Sequence, residues 1–178
     1  MDQTNYHKDV EKAVEILRTQ QCHPPLSEFQ VNVVQALANN QNSLNQLPTG
    51  SGKTWPVVCF PQILDILRDK FKYDLPTETR LLYVIPLVNI YQSVSVEMDK
   101  LNIPHQIMHA GGETVINPSV KVVCISPERL LNKAVMKSIL NHRWSCISID
   151  EPHLALGKPS KLNFHCIFHY IIQILAAY

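Results

Sequence analysis

The chain has 178 residues, of which 46% are hydrophobic and 17% charged, and its formal net charge is +1. This balance fits one globular domain and excludes a disordered or fibrous chain. A net charge near zero provides no global attraction to nucleic acid, so any such contact has to be local.

Neither disulfides, zinc nor a membrane is indicated by the sequence. The five cysteines form no C-x-x-C pair and the eight histidines show no zinc-ligand spacing, which favours a reducing compartment. Cys59, Cys124 and Cys146 lie in apolar runs and are predicted to be buried. The first residues lack the features of a signal peptide, and the apolar tail 164–178 is shorter than the roughly 20 residues of a membrane span.

Two helices are predicted before the first glycine. An i, i+3, i+4, i+7 pattern predicts an amphipathic helix that ends by Pro24-Pro25, on the apolar positions Val10, Ala13, Val14 and Leu17. A second helical pattern ends at Asn39-Asn40 and is carried by Val31, Val34 and Leu37.

From residue 43 the pattern alternates between strands and helices. Short or continuous apolar runs predict strands at residues 43–47, 81–85, 122–125 and 146–149. Helices are predicted between them, through Ile63 to Leu67 with an irregular start at Pro56 and Pro61, and at 88–101 and 127–141. This order predicts an α/β domain with a mainly parallel sheet, in which ligands bind beyond the carboxyl ends of the strands.

A glycine-rich loop follows the first predicted strand and reads Pro48, Thr49, Gly50, Ser51, Gly52, Lys53 and Thr54. Gly50 and Gly52 allow a tight turn whose N–H groups face phosphate oxygens, and a helix is predicted to begin near Lys53. Lys53 is predicted to reach the β- and γ-phosphates, and the Thr54 hydroxyl to bind magnesium. The loop therefore predicts binding of ATP with Mg²⁺.

An acidic box, Asp150-Glu151-Pro152-His153, follows the strand predicted at 146–149. Such a pair alone is most often a solvated turn. Together with a phosphate loop on one sheet edge, Asp150 is a candidate magnesium ligand and Glu151 a candidate general base.

The loop and the acidic box together resemble motifs I and II of superfamily-two DExH-box helicases, specifically the first RecA-like P-loop NTPase domain of the RecQ type. Residues 26–30 resemble the family's Leu-Arg-x-x-Gln segment, with Ser27 in place of the arginine. The resemblance implies that Gln30 contacts adenine through its amide, which is able to donate and accept together. A solvated glutamine at a helix start is the alternative. His153 would couple hydrolysis to movement.

Two further segments resemble nucleic-acid-binding motifs of the family. Residues 85–88, containing Pro86 and Leu87, resemble motif Ia, and residues 125–129, containing Ser126 and Pro127, resemble motif Ib. The resemblance implies contacts with single-stranded or partly duplex DNA, with strand-end and helix-cap roles as the alternative.

The resemblance divides the chain into a helical segment at 1–24, a RecA-like domain at 25–153 and a divergent tail at 154–178. It implies a 3′-to-5′ DNA helicase of DNA repair and recombination, located in the nucleus, or in the cytoplasm of a prokaryote. Motif III and a second RecA-like domain are not found, so we expect weak ATP binding and no unwinding by this chain alone. A truncated, non-catalytic module that binds ATP or nucleic acid is the alternative.

Overall fold

The computed structural model describes residues 3–42, 50–86 and 88–150. The chain divides into two compact units, Met1–Thr79 and Arg80–Tyr178. The strand predicted at 43–47 and the tail from residue 154 lie outside the described residues. Within the described ranges, no helix has the length and apolar character needed to cross a membrane.

The described part of the first unit is helical. Its helices are α1 Gln3–Gln20, α2 Glu28–Ala38, α3 Thr54–Val58 and α4 Phe60–Phe71. The stripe predicted for α1 is confirmed, because Val10, Ala13, Val14 and Leu17 are all buried, and α1 packs along α4. The predicted stop of α2 is also confirmed, with Asn39 as its C-cap.

The predicted irregular start of the helix after the glycine-rich loop is confirmed as a break at Cys59 between α3 and α4. Pro56 lies in the first turn of α3, and Pro61 lies in the first turn of α4. A helix tolerates proline there because the first N–H groups have no partner inside the helix. Each proline therefore lies near the start of a separate helix.

The second unit is built on a parallel sheet. Its described elements are β1 Leu81–Val84, α5 Tyr91–Lys100, β2 His105–Met108, β3 Val122–Ile125, α6 Lys133–Leu140 and β4 Cys146–Ile149. The four described strands run in the order β2-β3-β1-β4, and each of their pairings is parallel. The predicted α/β class is confirmed.

Three details of the second unit differ from the sequence prediction. The strand β2 was not predicted, because His105 and Gln106 interrupt any apolar run. The single helix predicted at 127–141 is wrong: Pro127–Leu131 forms a 3-10 helix, and α6 begins only after Asn132. The Asn132 side chain accepts hydrogen bonds from Ala134 N and Val135 N, which caps a new helix at that point. The helix predicted at 88–101 likewise begins with a 3-10 turn, Val88–Ile90.

One hydrophobic cluster of this unit lies on one face of the sheet. Alternate strand residues such as Leu82 and Val123 pack there against α6, whose Val135, Met136 and Ile139 are buried. Every residue of β1 and β3 is buried, whereas those of β4 are half-buried. The predicted burial of the cysteines is thus confirmed for Cys59 and Cys124, and Cys146 is half-buried.

Candidate functional site

The described part of the glycine-rich loop, Gly50 to Thr54, adopts a backbone that its glycines make possible. The φ angles of Gly50 and Gly52 are +83° and +72°, a left-handed region that residues with a Cβ rarely enter. Lys53 is the N-cap of α3, and Thr54 is its first residue. Lys53 and Thr54 therefore lie where a chain turns from a loop into a helix, as predicted.

The loop also contains a buried hydroxyl group. Ser51 Oγ is buried and has no hydrogen-bond partner among the described residues. A buried polar atom of this kind costs free energy unless a partner satisfies it. With two glycines at positive φ, a lysine and a threonine beside it, the residues present fit a phosphate ligand.

Gln30 is in direct contact with this loop. Its side-chain Nε2 donates to the carbonyl oxygen of Gly52 at 2.9 Å, and Gln30 is itself buried. A Cβ on Gly52 would lie 2.6 Å from the same nitrogen. Gln30, which the family resemblance relates to recognition of the adenine base, is therefore held against the phosphate loop by one hydrogen bond.

Ser27 has a role that the sequence analysis missed. It is the N-cap of α2, and its hydroxyl accepts from Gln30 N at 3.3 Å while Gln30 Oε1 accepts from Ser27 N at 2.9 Å. This reciprocal arrangement is a capping box, and its S-x-x-Q signature is readable from the sequence. Ser27 fixes both the start of α2 and the orientation of the Gln30 amide.

The segments that follow three strands of the second unit meet at one edge of its sheet. Val84 pairs with Ile125 and with Ile149, so Pro86, Ser126 and Asp150 all follow the carboxyl ends of three adjacent strands. Two backbone bonds extend this alignment, Ile85 N to Ile125 O and Asp150 N to Val84 O, both at 2.9 Å. These residues thus lie at the edge of the sheet where the sequence analysis expects ligands to bind.

Tyr91 is a buried residue that contacts this edge of the sheet, and the sequence analysis did not predict a role for it. Its hydroxyl donates to Ile85 O at 3.2 Å, and its ring meets the His109 ring edge-on at 5.8 Å. Burial raises the pKa of Tyr91 well above its ordinary value, and a side-chain hydrogen bond with Ser126 opposes this shift. Tyr91 therefore connects the residues that follow β1 with those that follow β3.

Arg129 holds a neighbouring loop. It is buried, and its Nη2 donates to the carbonyl oxygens of Gly112 at 3.2 Å and Glu113 at 2.7 Å. Its Nε is buried without a partner among the described residues. The sequence placed Arg129 in the predicted motif Ib without a function, because its contacts are tertiary.

Other predicted site residues lie outside the part of the chain that the structure describes: Pro48, Thr49, Leu87, Glu151 and His153. Across the described ranges no group of three His, Cys, Asp or Glu side chains is arranged to hold a metal ion. A cavity of about 300 Å³ beside α2, lined by polar residues such as Gln35 and Asn39, contains none of the predicted residues.

A parallel α/β sheet with Ser126 and Asp150 at the ends of two strands, and a Gly-x-Gly-Lys-Thr loop that opens a helix, define a P-loop nucleotide-binding domain of the RecA-like class. The sequence model of the DEAD/DEAH box helicases matches residues 27–177. The chain belongs to the DEAD/DEAH box helicase family. Members of this family are ATP-dependent, use Mg²⁺ with ATP and act on nucleic acid. No curated protein matches the chain.

The matched range begins at Ser27, so it includes the capping box of α2, and it continues through residues 154–177. The segment expected to diverge from the family after His153 is thus inside the matched range. The boundaries at 24/25 and 153/154 stay predictions.

Proposed function

We propose that this chain is the ATP-binding domain of a RecQ-like, ATP-dependent DNA helicase of 3′-to-5′ polarity. The contact between Gln30 Nε2 and the Gly52 carbonyl is the observation that carries the proposal, because it ties the RecQ-like segment 26–30 to the phosphate loop. The Asp-Glu-Pro-His form of the acidic box supports the same subfamily. A DNA substrate would place the protein in the nucleus, or in the cytoplasm of a prokaryote.

Different residues of the glycine-rich loop would bind different parts of a triphosphate. The N–H groups from Thr49 through Gly52 would surround phosphate oxygens, since the glycines keep side chains out of the way. Lys53 would meet the charge of the β- and γ-phosphates, and the Thr54 hydroxyl and the Asp150 carboxylate would hold Mg²⁺. When bound, the metal ion would neutralise charge that develops during phosphoryl transfer.

Hydrolysis needs a group that takes a proton from the attacking water. We assign this task to Glu151, the second carboxylate of the acidic box, and the coupling of hydrolysis to movement to His153. Both assignments rest on the resemblance to DExH-box helicases.

The nucleic-acid track is assigned to the sheet edge of the second unit. The hydroxyl of Ser126, which is buried and hydrogen-bonded to Tyr91, lies beside the backbone of Pro127, and Pro86 and Leu87 follow the adjacent strand in the sequence. Contacts from hydroxyl and backbone groups to phosphates fix the position of a strand without reading its bases. The choice of single-stranded or partly duplex DNA as the substrate rests on the resemblance to RecQ-type helicases.

Turnover would require a second RecA-like domain that closes over the nucleotide. An arginine finger from such a partner contributes on the order of 10³- to 10⁵-fold to related reactions. The 178-residue chain is therefore expected to bind ATP–Mg²⁺ weakly, to hydrolyse it slowly and to unwind no duplex.

The test is the ATPase rate with single-stranded DNA and with single-stranded RNA of matched sequence. Stimulation by DNA over RNA supports the proposal, whereas stimulation by RNA alone replaces DNA with RNA as the substrate. ATP binding without stimulation by either supports the alternative, a non-catalytic module.

Lys53→Ala should weaken ATP binding at least tenfold, with Lys8→Ala, on the exposed surface of α1, as the matched control. Unchanged binding by Lys53→Ala would refute the phosphate-loop assignment.

A further inference from the structure

We propose that the cavity beside α2 binds a small uncharged ligand with several hydroxyl groups, of the chemical class of a monosaccharide. The cavity measures about 300 Å³, at the lower end of the range of ligand pockets. It lies within the first unit and is lined by His7, Asn32, Gln35, Ala36, Asn39 and Gln41. None of these residues has a part in the proposed function.

The cavity is separate from the proposed nucleotide site. Four of its lining residues follow an i, i+3, i+4, i+7 pattern and therefore share one face of α2: Asn32, Gln35, Ala36 and Asn39. Gln30, which contacts the glycine-rich loop, precedes Asn32 by two positions and lies about 200° around the helix from it. The two sites thus use opposite faces of α2, and both are able to be occupied together.

The hydrogen bonds of Asn39 fix what this part of the cavity wall offers. Its Nδ2 donates to the Gln35 carbonyl oxygen at 2.8 Å and lies 3.1 Å from His7 Nε2. Because an amide nitrogen only donates, His7 Nε2 accepts, and the neutral imidazole carries its hydrogen on Nδ1. Both hydrogens of Asn39 Nδ2 are then used. His7 therefore offers a ligand one donor, Nδ1–H, and Asn39 offers one acceptor, Oδ1.

The other polar side chains of the lining present donors and acceptors together. Asn32 and Gln41 are exposed, and neither side chain has a hydrogen-bond partner within the described ranges. Gln35 donates one Nε2 hydrogen to Glu11 Oε1 at 2.9 Å and keeps its own Oε1 as an acceptor. A carboxamide places N–H and C=O groups side by side, and a hydroxyl group pairs with either because it both donates and accepts.

The charge and shape of the lining select the class of ligand. Among the described residues that line the cavity none is Lys, Arg, Asp or Glu, so a phosphate or carboxylate would lose its hydration without gaining an opposite charge. A flat nucleobase needs apolar or aromatic walls against its faces, and Ala36 is the one apolar residue of this lining. Hydroxyl groups that point in several directions match the lining best.

Titration of the ¹⁵N-labelled chain, followed by NMR at about pH 7.5, where an ordinary histidine is neutral, tests the inference. The uncharged probes are D-glucose, D-galactose, D-mannose, D-ribose and myo-inositol. At least one of them should shift the side-chain amide signals of Asn32, Gln35 and Gln41 saturably, with a dissociation constant below about 10 mM.

Two further probes test the class of ligand. Glucose 6-phosphate should bind no more tightly than glucose, and uracil, a flat uncharged base, should leave the same signals unshifted. The inference is overturned if no uncharged probe saturates the signals below about 10 mM. Tenfold tighter binding of the phosphate, or binding of uracil in place of the hydroxyl-bearing probes, overturns it as well.

Variants of exposed lining residues locate the site. Asn32→Ala and Gln41→Ala remove side chains without described hydrogen bonds, so both should fold, as circular dichroism verifies. Each should weaken binding of the best probe about fivefold, the effect of one neutral hydrogen bond. Gln20→Ala, at an exposed position of α1 outside the cavity, is the matched control. Native affinity in the folded double variant would refute the assignment.

ATP binding separates this inference from the proposed function. Asn32→Ala and Gln41→Ala should bind ATP–Mg²⁺ as the native chain does, because the cavity and the glycine-rich loop lie on opposite faces of α2. Loss of ATP binding in either folded variant would contradict the separation of the two sites. A chain that binds ATP and none of the hydroxyl-bearing probes keeps the proposed function and loses only the inference about the cavity.

Discussion

Gln30 and Gly52 constrain each other: the amide nitrogen of Gln30 lies 2.9 Å from the Gly52 carbonyl oxygen, and a Cβ on Gly52 would approach that nitrogen to 2.6 Å. The φ of +72° at Gly52 is a second, separate requirement for glycine. Gly50, at a φ of +83°, shares only the backbone requirement, because nothing lies within 4 Å of the position that a Cβ would take there.

Replacement of the two glycines by alanine should therefore have unequal effects. Gly52→Ala should lower ATP affinity at least tenfold, whereas Gly50→Ala, which adds only backbone strain of about 1 kcal/mol, should lower it less. In a double-mutant cycle measured by calorimetry, Gln30→Ala should recover part of the Gly52→Ala loss, because it removes the colliding amide. Strictly additive losses would show that the collision is unimportant.

Arg129 is expected to stabilise the loop at Gly112 and Glu113. Arg129→Met keeps the apolar length and removes both hydrogen bonds, so it should lower the free energy of unfolding by about 1–2 kcal/mol. Hydrogen exchange at the Ile116 amide, which is bonded to Ser138 Oγ nearby, should become faster. Glu128→Ala, at an exposed neighbouring position, is the control. An unchanged exchange rate in Arg129→Met would mean that other contacts hold the loop.

The sequence was sufficient for those parts of the fold that local patterns determine. The strands β1 and β3 are buried throughout, and a strand buried on both faces reads as a continuous apolar run. The strand β2 escaped prediction because it occupies the outer position beside β3 in the described sheet and three of its four residues are only half-buried. Its pairing with β3, and not its own pattern, makes it a strand.

The same distinction applies to the candidate site. Gly50, Gly52 and Lys53 belong to one short motif, so their spacing alone predicted their position at the start of a helix. Tyr91 donates a hydrogen bond to the carbonyl oxygen of Ile85, and Arg129 donates one to that of Glu113 in a separate loop. Such contacts depend on the tertiary fold, so no local sequence pattern predicts them. Ser27 is an intermediate case, because its S-x-x-Q signature is a local pattern, although the family resemblance compares the same position with an arginine.

Asn132 is expected to decide where α6 begins. Asn132→Ala removes the side-chain acceptor for Ala134 N and Val135 N and should lower the free energy of unfolding by about 1 kcal/mol. Asn132→Asp keeps an oxygen at the same position and should retain most of the stability. Urea unfolding followed by circular dichroism measures both variants. Equal losses in the two would contradict the capping role, since only the alanine variant lacks the acceptor.

Alkaline pH should destabilise the protein through two thiols, those of the buried Cys124 and the half-buried Cys146. Burial raises the pKa of Cys124 from 9.0 to about 12, and that of Cys146 also to about 12. Below pH 9 both thiols keep their protons in the folded and the unfolded chain, so their contribution to stability is complete. Between pH 9 and 12 the unfolded chain loses these protons while the folded chain retains them. Stability should then fall by up to about 1.4 kcal/mol per pH unit for each thiol.

Urea unfolding under reducing conditions at pH 8 to 10.5 measures this dependence. Cys124→Ala lowers the stability at every pH by creating a small cavity, but its decline above pH 9 should be shallower than that of the native chain. Cys22→Ala, at an exposed thiol, is the matched control and should keep the native slope. Because a cavity alone shifts the whole curve without changing its slope, parallel curves for Cys124→Ala and the native chain would show that this thiol does not cause the alkaline loss.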